Sequence, residues 1–218
     1  MKKAILFGAS GFIGSYLLND LLQSDSYSEV TIVVRKPLNI QHPKLKIVLA
    51  DYHSLAQNKE YLVADDVFIS LGTTKKKTPD EKEYYQIDHD YPVLAAQLTK
   101  ANGASAIFLV SAVGANAKSS IFYVKTKGET EKDIIDLGFE HTHIFRPSMI
   151  MGNREESRPL EKVFIKLFSV INLLLVGGMN KYKGITAKNI AKAMIKAAQQ
   201  PVEKIKIYHW EEMKDLIK

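Results

Sequence analysis

Cysteine is absent from the 218-residue sequence, which excludes disulfide bonds and thiolate metal sites and is typical of a reducing compartment. A long hydrophobic run is also missing, because Lys166, Ser169 and Asn172 interrupt the most apolar stretch, Val163 to Gly178. That stretch is too short to span a bilayer, and we expect a buried or half-buried helix there. The first residues carry no h-region and cleavage site of a secretory signal. We therefore expect a cytoplasmic protein with no membrane partner and no metal site.

An excess of charge strong enough to identify a partner is missing too. The formal net charge is +6, almost all of it from scattered lysines. One cluster, Lys75-Lys76-Lys77, could meet nucleic acid or an acidic partner, although most such runs are solvated loops. The signatures of nucleic-acid-binding modules are absent, so we expect no nucleic-acid partner. The length suits one α/β domain, and no repeat or low-complexity linker divides residues 1–218.

Segments of strand and helix character alternate along the first two thirds of the chain. Apolar runs of strand length are Ala4–Gly8, Val30–Arg35, Lys46–Ala50, Val67–Gly72, Ala106–Ala112 and His143–Arg146. Helical periodicity covers Phe12–Gln23, Pro79–Ala101 with a kink expected at Pro92, and Ser120–Leu137. This alternation predicts βαβ units, and hence a doubly wound parallel sheet flanked by helices.

Local signals at the segment ends support these assignments. Thr78-Pro79-Asp80-Glu81 has the pattern of a capping box with proline at the first helical position. Gly103 and Gly138 stand where C-terminal caps belong. From about Gly152 onwards the alternation stops, and a loop, the apolar helix and a helix over Thr186–Gln200 should form a small C-terminal appendage. We expect it near the carboxyl ends of the strands, where ligands bind in such folds.

The most informative motif is the turn Gly8-Ala9-Ser10-Gly11-Phe12-Ile13-Gly14, which lies between an apolar run and an amphipathic helix. Glycines allow a sharp turn and a close approach of backbone to phosphate, and the first N–H groups of the helix attract negative charge. The order of strand, turn and helix favours a dinucleotide pyrophosphate site. The spacing G-x-x-G-x-x-G differs from the usual G-x-G-x-x-G, and a glycine turn can simply connect strand to helix.

The end of the second strand indicates which dinucleotide binds. Val30–Val34 is followed by Arg35 and Lys36, where an NAD-binding protein usually carries a carboxylate. Two cations suit the 2′-phosphate of NADP(H), since guanidinium binds phosphate in a two-pronged geometry. The alternative is a surface pair at a strand end. Asp51, after the third strand, could accept a hydrogen bond from the adenine amino group or cap the next helix.

Three residues have the spacing of an acid–base site. Ser111 ends the fifth strand, and Tyr123 and Lys127 form the only Tyr-x-x-x-Lys pair in the sequence. At i and i+4 the two side chains share a helix face, so the ammonium should lower the pKa of the phenol. Tyr123 could then exchange a proton with a substrate oxygen that Ser111 holds. The alternative is an exposed Tyr–Lys pair on a helix.

Together these features resemble the short-chain dehydrogenase/reductase superfamily. Arg146-Pro147 followed by Gly152 is similar to its extended and atypical branches. More narrowly, the segment from Phe145 to Ser148 and the segment from Asn153 to Pro159, which contains Glu-Ser-Arg-Pro, resemble the Tat-interacting-protein oxidoreductases. The similarity extends over nearly the whole chain and implies a Rossmann fold that binds NADPH.

The resemblance also implies roles for individual residues. Those that would contact the cofactor are Ser10, Gly11, Phe12 and Ile13 at the pyrophosphate, Arg35 and Lys36 at the 2′-phosphate, Leu71 and Gly72 along the nucleotide, Lys127 at the ribose, Ile150 near the nicotinamide, and Arg158. Tyr123 would be the proton donor or acceptor. One departure concerns the asparagine that organises a proton relay in many members, because Asp88 stands at about that position and a carboxylate donates no hydrogen bond unless protonated.

Three functions remain open on the sequence alone. The first is an NADPH-dependent oxidoreductase that transfers hydride to or from a small carbonyl or alcohol, since 218 residues leave little room for a nucleotide-sugar domain. The second is an NADP(H)-binding regulator or scaffold without turnover. The third, an epimerase or dehydratase with resident NAD, is disfavoured by Arg35. A homodimer or a protein partner is compatible with the sequence.

Overall fold

The computed structural model describes residues 1–152, 177–200 and 202–218. Seven parallel strands form one sheet: β1 (Lys2–Phe7), β2 (Tyr27–Val34), β3 (Leu45–Leu49), β4 (Asp66–Ile69), β5 (Ala106–Val110), β6 (His141–Phe145) and β9 (Ile205–Tyr208). Their order is β3-β2-β1-β4-β5-β6-β9. The first six follow the dinucleotide-binding order, which confirms the predicted doubly wound sheet and gives all strands a common carboxyl edge.

Helices cover both faces of the sheet. They are α1 (Phe12–Gln23), α2 (Glu81–Tyr85), α3 (Tyr91–Ala101), α4 (Phe122–Asp136), α5 (Ala187–Gln199) and α6 (Trp210–Leu216), with 3₁₀ segments at Leu55–Tyr61 and Gly177–Tyr182. Strand β1 shows why the inner strands are largely apolar. Its residues Ala4 and Leu6 join the core under α1 and α5, whereas Ile5 and Phe7 join the core on the other face.

The predicted helix Pro79–Ala101 is interrupted by a π-helical segment, Gln86–Asp90, between α2 and α3. Pro92 has no N–H to offer the carbonyl of Asp88, and the hydroxyl of Thr130 donates to that carbonyl instead at 2.9 Å. The predicted cap is wrong as well. Asp80 is the N-cap and accepts from the Glu83 N–H at 2.8 Å, while Thr78 pairs its hydroxyl with that of Thr73.

The C-terminal region completes the sheet, which the sequence patterns do not predict. Strand β9 extends the sheet edge beside β6, and a two-residue pair, β7 (Ile150–Met151) and β8 (Ile185–Thr186), forms a second small sheet. The expected helix over Thr186–Gln200 is α5, shorter by one residue at each end because Thr186 caps it through Asn189. Residues 163–176 of the expected apolar helix lie outside the described residues. No helix within the described ranges is long and apolar enough to cross a membrane.

Candidate active site

The glycine turn packs tightly against the end of β4. Gly8 has φ +92°, and a Cβ there would lie 2.8 Å from the carbonyl oxygen of Ser70. A Cβ on Gly14 would lie 1.9 Å from the carbonyl oxygen of Gly8. Gly11 donates its N–H to that same oxygen at 2.9 Å and closes the turn. The turn therefore has room for glycine only, as a close backbone cradle for phosphate requires.

Helix α1 begins directly after this turn. Its N-cap is Gly11, which offers no side-chain cap, and Ser10 beside it is exposed. Ile13 and Gly14 are buried and seat the helix on the sheet. An N-terminus of this kind presents backbone N–H groups and a positive dipole end to an anion.

The cations expected at the 2′-phosphate follow the neighbouring strand. Arg35 and Lys36 come directly after β2, where Val33 pairs with Phe7 of β1, so both lie at the same edge as Gly8. Both side chains are exposed. Burial raises the pKa of the nearby Tyr91 to about 12, and the charge of Arg35 partly opposes that rise. Arg35 thus lies near Tyr91 at the carboxyl edge of the sheet, and its binding to a 2′-phosphate stays a prediction.

Asp51 orders a turn and does not cap the 3₁₀ segment that follows, because the N-cap of that segment is Ser54, without a side-chain cap bond. Its carboxylate accepts hydrogen bonds from the N–H of Ser54 at 2.9 Å and from the hydroxyl of Ser54 at 2.8 Å. These bonds lower the pKa of Asp51. The residue orders the turn before the 3₁₀ segment Leu55–Tyr61, and its contact with adenine stays a prediction.

The end of β4 connects the nucleotide side to the acid–base side. Leu71 is half-buried and Gly72 is exposed. A Cβ on Gly72 would lie 3.5 Å from Asp88 Oδ1 and 3.7 Å from Lys127 Nζ. The next residue, Thr73, donates its N–H to Asp88 Oδ2 at 2.7 Å. The loop after β4 and helix α4 therefore meet at Asp88.

Ser111 stands one residue beyond the end of β5. Its N–H donates to the carbonyl of Phe145 at 2.7 Å, which continues the pairing with β6. Its hydroxyl is buried and has no hydrogen-bond partner among residues 1–152, 177–200 and 202–218. A buried hydroxyl normally finds a partner, so an unpaired one at a strand's carboxyl end fits a site that receives a ligand oxygen.

Tyr123 and Lys127 lie in the first two turns of α4. Tyr123 is 44% exposed, whereas Lys127 is buried and forms an ion pair with Asp88 at 2.7 Å. Burial raises the pKa of Tyr123, Lys127 lowers it, Asp88 raises it again, and the net direction is upward. The expectation that the ammonium lowers this pKa overall is therefore wrong, because burial of the phenol outweighs the effect of Lys127 and the charge of Asp88 adds to the rise.

Gly128 is a site residue that the sequence patterns do not reveal. A Cβ there would lie 2.1 Å from the backbone nitrogen of Ala117. The loop that follows Ser111 packs onto α4 at this point, and the Asn116 N–H donates to the carbonyl of Val124 at 3.1 Å. A glycine directly after the Tyr-x-x-x-Lys pair is the only sequence signal for this contact. It brings the serine loop close to the tyrosine helix.

The C-terminal region reaches the glycine turn. Ile150 is half-buried and packs against the core under α1. Gly152 has φ +139°, and a Cβ there would lie 2.7 Å from the ring of Phe12.

The two arginines of this region differ in what the structure describes. Arg146 forms a two-pronged ion pair with the buried Glu131 and so holds α4 against the end of β6. Arg158 and the rest of the Glu-Ser-Arg-Pro stretch lie outside the described residues.

Comparison with known proteins establishes the family. A family model described as NAD(P)H-binding matches residues 8–201. The chain belongs to this NAD(P)H-binding family. It is 33% identical to Protein HTATIP2 of Rattus norvegicus over 171 residues, which are 77% of this chain and 70% of the relative. The resemblance to the Tat-interacting-protein oxidoreductases is thereby confirmed.

Fungal relatives correct one expectation. The chain is 33% identical to the mitochondrial protein FMP52 of Candida glabrata over 210 residues, 93% of this chain and 88% of that protein. The corresponding protein of Candida albicans, also named mitochondrial, is 34% identical over 71% of this chain and 70% of its own length. The expected cytoplasmic location is therefore wrong. A composition without cysteine suits any reducing compartment, so it does not identify a location.

Solved structures confirm the fold. The Bordetella bronchiseptica enzyme WbmH, in complex with NAD⁺, superposes with a TM-score of 0.72 at 20% identity, covering 96% of this chain and 75% of that one. A UDP-N-acetylglucosamine 4-epimerase from Methanobrevibacter ruminantium M1 gives 0.70 at 21% identity, covering 95% and 76%. At these identities the likeness concerns the architecture.

Proposed function

We propose that this protein is an NADPH-dependent oxidoreductase that transfers hydride between the nicotinamide and a small carbonyl or alcohol. One observation carries the proposal. Three features lie at one edge of the sheet: the buried hydroxyl of Ser111, which has no hydrogen-bond partner in the described part of the chain, the helix face of Tyr123 and Lys127, and the glycine turn. An acid–base group and a phosphate cradle at the carboxyl ends of parallel strands suit a redox reaction on a bound nucleotide.

The cofactor would lie along this edge. Gly8, Gly11 and Gly14 would let the backbone approach the pyrophosphate, with Ser10, Phe12 and Ile13 around it. Arg35 and Lys36 would bind the 2′-phosphate, and Leu71, Gly72 and Ile150 would line the nucleotide. The absence of a side-chain cap on α1 and the lack of space beside Gly8 and Gly14 support this assignment. When bound, the cofactor supplies a hydride donor or acceptor.

The chain's own residues would manage the substrate oxygen. Ser111 would donate its hydroxyl proton in a hydrogen bond to that oxygen, and Tyr123 would give or take the proton that accompanies hydride transfer. Lys127, held by Asp88, would face the ribose. The partly exposed Tyr123 leaves an opening for a small substrate.

The test is NADPH oxidation across a panel of small aldehydes and ketones by wild type, Tyr123→Phe and a control, Tyr61→Phe. Tyr61 is 59% exposed on the 3₁₀ segment away from the serine and lysine. Loss of general acid catalysis should lower the rate of Tyr123→Phe by about 10²–10⁴-fold. NADPH binding by Tyr123→Phe and the reaction rate of Tyr61→Phe should both equal those of wild type.

Two results would contradict the proposal. A full rate in Tyr123→Phe would remove the tyrosine from the mechanism. NADPH binding without turnover on any carbonyl or alcohol would instead favour a cofactor-dependent regulator, and a partner whose affinity changes with the redox state of the nucleotide would then be sought.

A further inference from the structure

A buried ion pair lies beneath the acid–base pair. Asp88 Oδ1 is 2.7 Å from Lys127 Nζ, and the two side chains are 2% and 9% exposed. Asp88 Oδ2 accepts the Thr73 N–H at 2.7 Å. Both oxygens of this carboxylate are therefore engaged, one by the lysine and one by the backbone that follows β4.

The backbone fixes the carboxylate in place. Asp88 lies in the π-helical segment Gln86–Asp90, and its carbonyl accepts from the hydroxyl of Thr130 at 2.9 Å. Thr130 also donates to the carbonyl of Thr126, so it bridges α4 and the π-helical segment. A π-helical turn inside a helix is frequent at functional sites, and here it directs an acidic side chain at the lysine.

Three ionisable groups face the phenol of Tyr123 from the elements around it. They are Lys127 on α4, Asp88 on the π-helical segment and Tyr84 on α2. A lone ammonium would stabilise the phenolate, but a carboxylate at 2.7 Å compensates its charge. In accord with this geometry, the pKa of Tyr123 is raised, by burial first and by Asp88 in addition.

We propose that Asp88 is a positioning residue that holds Lys127 against the β4 loop and offsets the lysine charge beside Tyr123, which adapts the site to carbonyl reduction. The inference rests on the proposed function and adds the direction in which the reaction is favoured. In that direction a hydride from NADPH, which is oxidised, adds to the carbonyl carbon as the C=O π bond breaks. The carbonyl oxygen takes the hydroxyl proton of Tyr123, and the phenolate regains a proton from water, which reaches its exposed side.

The experiment is an ultraviolet titration of the Tyr123 phenolate, recorded by rapid pH jump without added nucleotide. Subtraction of Tyr123→Phe isolates this residue from the other tyrosines. We expect titration above the ordinary value of about 10 in wild type, and at least about one pH unit lower in Asp88→Asn. Asp88→Glu, which restores the charge, should titrate near wild type.

A matched control is Asp90→Asn, which removes one negative charge two residues away. Asp90 contacts His89 and not Lys127, so its variant should leave the Tyr123 titration within a few tenths of a unit. The proposal is overturned if Asp88→Asn titrates like wild type, or if Asp90→Asn shifts Tyr123 equally. Should Asp88→Asn fail to fold by circular dichroism, Asp88→Ser, a second uncharged replacement, takes its place with the same expected and refuting shifts, and a wild-type titration of Tyr123 below pH 10 refutes the proposal in any case.

The two proposals fail separately. Absence of turnover on every carbonyl would refute the proposed function, while the titration would still report the effect of Asp88. Conversely, Tyr123-dependent turnover together with an unshifted Asp88→Asn titration would refute this inference alone. With an active substrate, the pH above which reduction declines should fall in Asp88→Asn by the same amount as the titration.

Discussion

Replacement of Gly14 by alanine tests the packing of the glycine turn. The new Cβ would lie 1.9 Å from the carbonyl oxygen of Gly8 and 2.7 Å from its carbonyl carbon. Both atoms belong to backbone, and Gly8 is itself confined by Ser70, so the turn cannot yield as a flexible side chain would. The substitution should therefore move α1 away from the turn.

Two opposing terms set the size of the effect. Alanine is favoured over glycine within a helix by about 1 kcal/mol. Overpacking typically costs about 1–3 kcal/mol, and a contact this short on rigid backbone belongs at or above the upper end of that range. The net destabilisation should be about 2 kcal/mol, which lowers Tm by about 4–8 °C in a domain of this size.

The assay is thermal unfolding followed by circular dichroism, with an NADPH titration on the same samples. Gly178→Ala is the matched control, because a Cβ there meets no atom of the described residues within 4 Å and the residue is exposed. It should change stability by less than about 0.5 kcal/mol and leave binding intact. A Gly14→Ala protein as stable as wild type and equally able to bind NADPH would refute the packing argument.

Two further predictions concern His143 on β6 and Arg146 directly after that strand. Burial lowers the pKa of His143 to about 4, below the ordinary value of about 6.5. Between these two values the unfolded chain binds more protons than the folded one. The free energy of unfolding should therefore rise with pH across that window, by up to about 3 kcal/mol. Urea unfolding at pH 4 and pH 7 should show this dependence in wild type and a flatter one in His143→Gln; equal slopes would contradict the assignment. Arg146→Ala should destabilise the protein by about 3 kcal/mol, because it leaves the buried carboxylate of Glu131 without its partner. Adding Glu131→Gln should recover part of that loss in the same unfolding assay, and a double variant no more stable than Arg146→Ala would argue against the ion pair.

The sequence predicts the five inner strands well because these strands are largely buried on both faces. Ile5 and Leu6 point to opposite faces of β1, and both are fully buried, so the run is apolar throughout and easy to recognise. Strand β9 escapes prediction for the opposite reason. It lies at the sheet edge, its Ile205 is exposed and Lys206 is only half-buried, so it lacks an apolar run.

Only part of the candidate site can be predicted from the sequence, because some of its features depend on local spacing and others on contacts between distant residues. The glycine turn and the Tyr123–Lys127 pair depend on spacing, and spacing is visible in the sequence. The ion pair of Lys127 with Asp88 depends on the π-helical segment and on the hydrogen bond from Thr130. These are tertiary contacts across about forty residues. The pKa of Tyr123 rises chiefly because the phenol is buried, and Asp88 adds to that rise, so the spacing of the Tyr-x-x-x-Lys pair does not reveal its direction.

The most direct test of the account is a side-by-side binding titration of NADPH, NADP⁺, NADH and NAD⁺ to wild type, Arg35→Ala and Lys196→Ala. Lys196 is an exposed cation in the last turn of α5, so its variant removes the same charge elsewhere. We predict that wild type prefers NADPH and that Arg35→Ala weakens NADPH binding by about 2 kcal/mol, or about thirtyfold in Kd, with NADH and Lys196→Ala unaffected. Equal affinity for all four nucleotides, or NADPH binding that is unchanged in Arg35→Ala, would contradict the account.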